Sequence, residues 1–222
     1  MVVLVLTALL LCSISFLQDF YLLYLSSKFP STSAWIGLSH HSCQLDVNCE
    51  ANFPTWFSSS LLLLCSIVLG AITYEVKKKY DRPFLLHWGI LSAIFALLSV
   101  MEAVPVHEGL VKPVRDWLHV GGLFYYAWVI PGGVLVIVFV LSYLRFVFVG
   151  LDSKFRWLFV SAGLIYVSGG LGVEMIGGLQ ADLHGTSNLT YSLLVTLEEL
   201  LEMLGASLFL YALMLYTKYL RD

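Results

Sequence analysis

Long runs of apolar residues alternate with short polar stretches along the chain, and each run is long enough to cross a bilayer as an α-helix. The pattern predicts six spans, at about 2–25, 56–76, 84–106, 121–148, 155–178 and 189–217. The first run lacks a cationic start and a small-residue cleavage site, so we expect a retained helix rather than a signal peptide. We therefore expect an all-α fold, a polytopic transmembrane helix bundle that forms a single domain over residues 1–222.

Composition agrees with this interpretation. Of the 222 residues, 59% are hydrophobic and 12% are charged, against roughly 45–50% and 25% in soluble globular proteins. The spans leave only loops between them, which excludes a separate soluble catalytic domain. The net charge of -3 provides no clustered cationic surface for a phosphate backbone. We expect the lipid bilayer, and not nucleic acid, to be the partner of this chain.

The distribution of lysine and arginine predicts the orientation of the spans. Nine of the 12 Lys and Arg residues lie in or beside the loops after the second and fourth runs and near the C-terminus. Because cationic loops resist translocation, both termini are predicted to be cytoplasmic. The loops at 26–55, 107–120 and 179–188 should then face outward.

Two of the four cysteines lie in the outward loop at 26–55. An oxidising compartment would permit a disulfide between Cys43 and Cys49. Metal binding by the same pair, with His40 and His41, is an alternative, although the paired CxxC spacing typical of zinc sites is absent. We expect the disulfide.

Ionisable residues within the predicted spans are the strongest functional signal, because an unpaired charge at bilayer depth costs several kcal/mol. They lie at the outward end of the third run, about four residues from the outward end of the fifth run, and nine to thirteen residues into the sixth run. These residues are Glu102, His107, Glu174, Glu198, Glu199 and Glu202.

The glutamates of the sixth run are spaced closely enough to interact. Glu198 and Glu202 share a helix face at i, i+4, and Glu199 lies at i, i+3 from Glu202. Like charges this close in a low dielectric cannot all remain ionised without a cation. The outer half of the predicted spans contains no Lys or Arg. The counter-charge must therefore be protons, a histidine such as His107 or His119, or a bound cation.

Glycine and proline predict two further features. Ser168 and Gly172 in the fifth run form a small-xxx-small pair that allows a neighbouring helix to approach closely. Pro131, followed by two glycines, should kink the fourth run near the middle of the membrane.

The leading hypothesis is a buried carboxylate and histidine site in the outer half of the bundle. It would bind a divalent metal such as iron, manganese or zinc, or it would handle protons. Glu102, Glu174, Glu198 and Glu202 are the candidate ligands or proton carriers, His107 is the candidate nitrogen partner, and Glu199 is an additional carboxylate. A metal-dependent intramembrane enzyme remains an open possibility.

Two other classes of function stay open. The chain could be a structural or accessory subunit of a larger membrane complex, or a homo-oligomer, in which the glutamates hydrogen-bond between helices. A pigment-binding role belongs to this class. A transporter of small solutes or ions ranks third, because no inverted repeat is visible.

Four motifs resemble those of uncharacterised bacterial multi-pass membrane proteins, cyanobacterial members among them. The motifs begin at Glu102, at Tyr126 (YAWVIP), at Val173 (VEMIGG) and at Leu197 (LEELLEML), and the likeness covers roughly residues 84–220. Met101 replaces an acidic residue of those relatives. The resemblance implies a bundle of the six-span type with a glutamate and histidine set, in a bacterial inner membrane or a thylakoid membrane, and it implies no activity.

Overall fold

The computed structural model describes residues 1–28, 43–78, 84–104 and 108–221. Every regular element in these ranges is helical, and six helical segments are long and apolar enough to cross a membrane. The chain therefore folds as an integral membrane protein with multiple spans. His107 lies outside the described residues, as do His40 and His41.

Eight α-helices are numbered here in chain order. Their bounds are α1 Val2–Lys28, α2 Phe53–Lys78, α3 Leu85–Ala103, α4 Glu108–Leu118, α5 Val129–Gly150, α6 Ser153–Val167, α7 Glu174–His184 and α8 Leu189–Arg221. A π-helical turn at Ser168–Val173 joins α6 and α7 into one continuous span. We call the end of the bundle that carries residues 43–52, 108–128 and 185–188 the disulfide end, and the other end the opposite end.

The fourth and fifth spans differ most from the expected limits. The fourth begins at Val129, because residues 122–124 form a 3-10 turn in which Gly122 adopts a φ of +62°. Pro131 therefore lies in the first turn of α5, where a missing N–H breaks no helical hydrogen bond. The predicted kink in the middle of the fourth span is wrong. The fifth span runs on to His184 and is longer than expected.

Helix α8 is the centre of the bundle. It packs against α1, α2, α6, α7 and the π-helical turn. Gly205 allows a close approach, since a Cβ atom there would lie 2.7 Å from the backbone nitrogen of Tyr166. The small residue thus brings α6 and α8 into backbone contact, as small residues do in membrane helix packing.

Helices α2 and α3 are joined by reciprocal serine hydrogen bonds. Ser66 Oγ donates to the carbonyl oxygen of Ser92 at 2.8 Å, and Ser92 Oγ donates to the carbonyl oxygen of Ser66 at 2.9 Å. Ser59 and Ser99 repeat this exchange at 2.8 and 2.9 Å. In a membrane, where hydroxyls find no water, such bonds fix the register of the two helices.

The opposite end contains an aromatic core. Trp88 meets the ring of Phe146 edge-on at 4.9 Å and stacks on Tyr216 at 4.9 Å. His87 stacks on the other side of this group, with its ring 5.6 Å from that of Phe146. Offset and edge-to-face pairs of this kind stabilise a core beyond the area that they bury.

Candidate functional site

Five glutamates from three helices form one electrostatically connected group at the disulfide end. Glu198 interacts with Glu174, Glu202 and Glu102, and Glu199 interacts with Glu102, Glu202 and Glu198. Glu102 comes from the last turn of α3, Glu174 begins α7, and the other three belong to α8. The fold thus brings these carboxyl groups together from positions up to 100 residues apart in the chain.

The depth of Glu174 explains part of this convergence. We expected it about four residues from the helix end, but α7 continues to His184, ten residues further. At 1.5 Å per residue this is a depth of about 15 Å. Glu198 lies nine residues into α8, at a similar depth. The two carboxylates therefore face each other at the same level.

Two of the glutamates are held by hydroxyl groups of neighbouring helices. Glu102 is hydrogen-bonded to Ser58 of α2, whose side chain is only 1% exposed. Glu202 accepts a hydrogen bond from Tyr166 of α6. These two carboxyls lie behind the other three, away from the cavity described below, and each has a partner that is itself held by the packing.

Aromatic side chains hold the other part of the site. Trp128 Nε1 donates to Glu174 Oε1 at 2.7 Å. The hydroxyls of Tyr126 and Tyr191 are hydrogen-bonded to each other at 2.7 Å. Tyr126 also lies close enough to Glu174 and Glu198 to feel their charge. We call Tyr126, Trp128 and Tyr191 the aromatic triad.

A cavity of about 370 Å³ opens between the triad and the carboxylates. This volume is within the range of small-ligand sites and has room for roughly ten water molecules. Glu102 and Glu202 are not part of its wall and lie behind it. The lining contains four carboxylates together with the aromatic triad, and these carboxylates are Glu50, Glu174, Glu198 and Glu199.

The loop that carries Glu50 is rigidly built. Cys43 and Cys49 are joined by a disulfide, with Cα atoms 5.6 Å apart. The side-chain amide of Asn52 lies 2.6–2.8 Å from the carbonyl oxygens of Cys43, Asp46 and Cys49. Its Oδ1 accepts a hydrogen bond from the Thr55 N–H at 3.0 Å, which caps α2. One asparagine therefore fastens the loop to the start of a span.

A second set of contacts ties this loop to α1. Val47 N–H donates to Ser15 Oγ at 2.9 Å, and Ser15 Oγ donates to Asp46 Oδ1 at 3.4 Å. Burial raises the pKa of Asp46 above its ordinary value, and hydrogen bonds from the Asn48 N–H and Ser15 partly oppose that change. Val47 and Asn48 also line the cavity, so the loop forms its outer wall.

The π-helical turn fits against α8 through glycines. A Cβ atom at Gly169 would lie 2.7 Å from the carbonyl oxygen of Glu198, and one at Gly170 would collide with a carboxylate oxygen of Glu202. π-helical turns occur often at functional sites. Here the turn lets the backbone lie directly against two of the carboxylate-bearing residues.

Positive charge is absent from the described lining of the cavity, which contains no Lys, Arg or His. Within residues 1–28, 43–78, 84–104 and 108–221, no group of three His, Cys, Asp or Glu side chains is arranged to hold a metal ion. The predicted divalent metal therefore has no support from the described carboxylates, and His107 cannot be placed among them. The group is acidic, borders a cavity and is held by hydroxyl and indole donors.

Comparison with known protein families places almost the whole chain in one of them. The chain matches a domain of unknown function over residues 2–217. It belongs to the DUF8692 family. No curated protein and no solved structure matches it. Membership of DUF8692 is consistent with the expected group of uncharacterised proteins, and it assigns no activity to this chain.

Several site residues of this DUF8692 domain escaped sequence reasoning. Tyr126 and Trp128 belong to the YAWVIP motif, but the motif was placed inside a span and its side chains were given no role. Tyr191 lies near the start of the sixth run and was given no role in the site. Glu50 drew no attention because it lies in a polar loop. The available signal was that Glu50 directly follows Cys49, because a loop closed by a disulfide holds the adjacent side chain in place.

Proposed function

We propose that the disulfide-end cavity takes up small cations in exchange for protons carried by its glutamates. One observation carries the proposal: five carboxylates from α3, α7 and α8 meet beside a cavity with no basic side chain in its described lining. Such a group is neutralised only by protons or by a cation that enters. The arrangement therefore supports an exchange site.

A hydrated or organic cation fits this geometry better than a transition metal held directly by protein ligands. Direct ligation needs several side chains at fixed distances from one point, whereas the described glutamates are distributed over a cavity of about 370 Å³. The rings of Tyr126, Trp128 and Tyr191 add π faces that attract cations. Water or an ammonium group would occupy the space between carboxylates and rings.

The charge distribution supports an outward opening. The positive-inside rule applied to the loops predicts that residues 43–52 and α4 face away from the cytoplasm. In that orientation Glu50 and the disulfide lie at the mouth, and Glu102 and Glu202 lie behind the lining. Protons would pass from the lining carboxylates Glu198 and Glu199 to this second pair.

Proton release on cation binding tests the proposal. Protein in lipid nanodiscs and weak buffer is mixed with Na⁺, K⁺, Mg²⁺, Mn²⁺ or methylammonium at constant ionic strength, and a pH-sensitive dye records released protons. We expect release for at least one cation, and its loss in Glu198→Gln and Glu199→Gln. Infrared spectra should show a carboxylic-acid C=O band that decreases as the cation binds.

The matched control is Glu75→Gln, which removes a carboxylate at the opposite end of α2, beside Lys78 and far from the cavity. It should release as many protons as the unmodified protein. Absence of proton release with all five cations, with no acid band that the glutamine variants remove, contradicts the exchange site.

A further inference from the structure

Helix α4 connects two spans at the same face of the bundle. It follows the end of α3 at Ala103 and precedes the start of α5 at Val129. Both of these ends lie at the disulfide end. Its eleven residues are too few to cross a bilayer. The helix therefore lies at the level where the spans leave the membrane.

The sequence of α4 is strongly amphipathic. Val111, Val114 and Leu118 recur at i, i+3 and i+7, which places them on one face. Lys112 and Asp116 lie on the other face, one turn apart, and both are exposed. Sequence reasoning treated residues 107–120 as a loop because the run is too short and too polar for a span. A short helix with one apolar and one charged face is typical of a segment that lies in the membrane surface.

The protein covers only one edge of the apolar face. Val111 lines the cavity and Val114 is half-buried. The guanidinium of Arg115 lies over the ring of Tyr125 at 4.6 Å, which holds that side of the helix to the bundle. Trp117 is 78% exposed, the highest value among the large apolar side chains of the described residues. Nothing in the described protein covers this indole.

The segment after α4 is also tied down. Gly122 N–H donates to Asp182 Oδ2 at 2.7 Å, which joins the 3-10 turn to the last turns of α7. The helix is therefore held close to the bundle at its C-terminal end, with Trp117 directed away from the protein. These contacts within the protein set the position of α4.

We propose that α4 lies in the headgroup layer of the disulfide-end leaflet, with Trp117 and Leu118 inserted toward the acyl chains and Lys112 and Asp116 in water. The partner is the lipid surface itself. An indole is the side chain that prefers this level, because its ring is apolar and its N–H still finds a polar group. This inference does not depend on cation exchange, although Val111 makes the same helix one wall of the cavity.

Site-directed spin labelling tests the placement. Trp117→Cys and Lys112→Cys are labelled with a nitroxide in full-length protein reconstituted into phosphatidylcholine vesicles. Collision rates are measured with oxygen, which concentrates in the acyl region, and with a water-soluble nickel chelate. We expect the label at 117 to collide several-fold more often with oxygen than with the chelate, and the label at 112 to show the reverse preference.

The controls separate labelling and folding from insertion. Unsubstituted protein, in which Cys12 and Cys65 are buried, gives the background labelling. If Trp117→Cys fails to fold, quenching of indole fluorescence by brominated lipids in wild type and in Trp117→Phe gives the same information, since the difference between them belongs to Trp117. A label at 117 that meets the chelate as freely as the label at 112, or an indole that brominated lipids do not quench, overturns the proposal.

Discussion

The two halves of the bundle are packed differently, one around a cavity and one around a filled core, and α8 passes through both. At the disulfide end it presents Glu198, Glu199 and Glu202 to a hollow, acidic site. Beyond Met203, which is fully buried, it presents Phe209 and Tyr216 to a dense aromatic core. The contrast teaches that a filled core and the proposed exchange site share one helix, with Glu198 and Tyr216 about five turns apart.

The two ends differ because a close-packed aromatic core and a cavity lined by carboxylates cannot occupy the same place. Close-packed rings leave no space for water, so a carboxylate placed among them would lose its solvation. A cavity that keeps carboxylates hydrated gives up the dispersion contacts that a filled core would provide. We therefore expect substitutions at the opposite end to change stability, and substitutions at the disulfide end to change proton and cation binding.

The largest expected effect is at the centre of the aromatic core. Phe146 is 1% exposed and contacts Phe84, His87, Trp88 and Tyr143. Phe146→Ala should lower the free energy of unfolding by about 3–5 kcal/mol, because the cavity that remains cannot be refilled. Unfolding in mixed micelles, followed by circular dichroism, measures this loss.

Phe20→Ala is the matched control for that substitution. Phe20 of α1 is 51% exposed on the surface of the bundle, so its removal should change the free energy of unfolding by less than about 0.5 kcal/mol. Equal losses in the two variants would mean that the opposite end is not the stable half, and the comparison between the ends would fail. Cation-dependent proton release should be retained in both variants.

The spans were predictable from sequence because each is a long apolar run, and that signal does not depend on neighbours. The site was predictable only in part. Glu174, Glu198 and Glu202 stand out as charges in apolar runs, whereas the indole of Trp128 meets Glu174 across 46 residues of chain. No local pattern encodes such a contact. The π-helical turn is similar, since it depends on packing against α8.

Helix α4 escaped notice for a different reason. Its pattern of Val111, Val114 and Leu118 was present in the sequence, but a search for runs of about 20 apolar residues passes over a helix of eleven. The depth of Glu174 was underestimated because Gly177 and Gly178 were taken as the end of a span. In this fold both are buried inside α7, and Gly178 allows Tyr126 to approach, with 3.2 Å from its Cδ2 to a Cβ placed at Gly178.

An intermediate effect is expected where the π-helical turn meets the acidic site. Gly170→Ala places a methyl group against the Glu202 carboxylate. Overpacking of this kind costs about 1–3 kcal/mol, and it should also displace Glu202 and change proton release. Thermal unfolding and the dye assay together measure the two consequences. Gly172→Ala, in the same turn, places the new Cβ more than 4 Å from any atom of a neighbouring segment and is the matched control.

Gly172→Ala should leave both measurements unchanged or slightly raise stability through the lower entropy of its unfolded chain. Gly170→Ala that behaves in the same way would show that Glu202 moves aside freely. In that case the packing of the turn does not hold Glu202 in place, and the acidic site is not fixed by its neighbours.

The smallest expected effect is a pH dependence in the loop that forms the wall of the cavity. Burial raises the pKa of Asp46 above its ordinary 3.8, so the folded protein binds the proton more tightly than the unfolded chain does. Linkage then makes the free energy of unfolding fall as pH rises from about 3.8 through the raised pKa, and level off above it. Asp46→Asn should remove this part of the slope.

The difference between wild type and Asp46→Asn isolates the carboxylate, because asparagine keeps an acceptor for the Asn48 N–H, which Asp46 Oδ1 accepts at 2.9 Å. Asp19 of α1 faces Asp46, so the difference includes their mutual repulsion. The effect is small because Asp46 is only half-buried and two hydrogen bonds oppose its burial. If the free energy of unfolding falls more steeply with pH in Asp46→Asn than in wild type, the contribution of Asp46 has the opposite sign. The loop would then stabilise the charged form of Asp46, and the wall of the cavity would carry an additional ionised carboxylate.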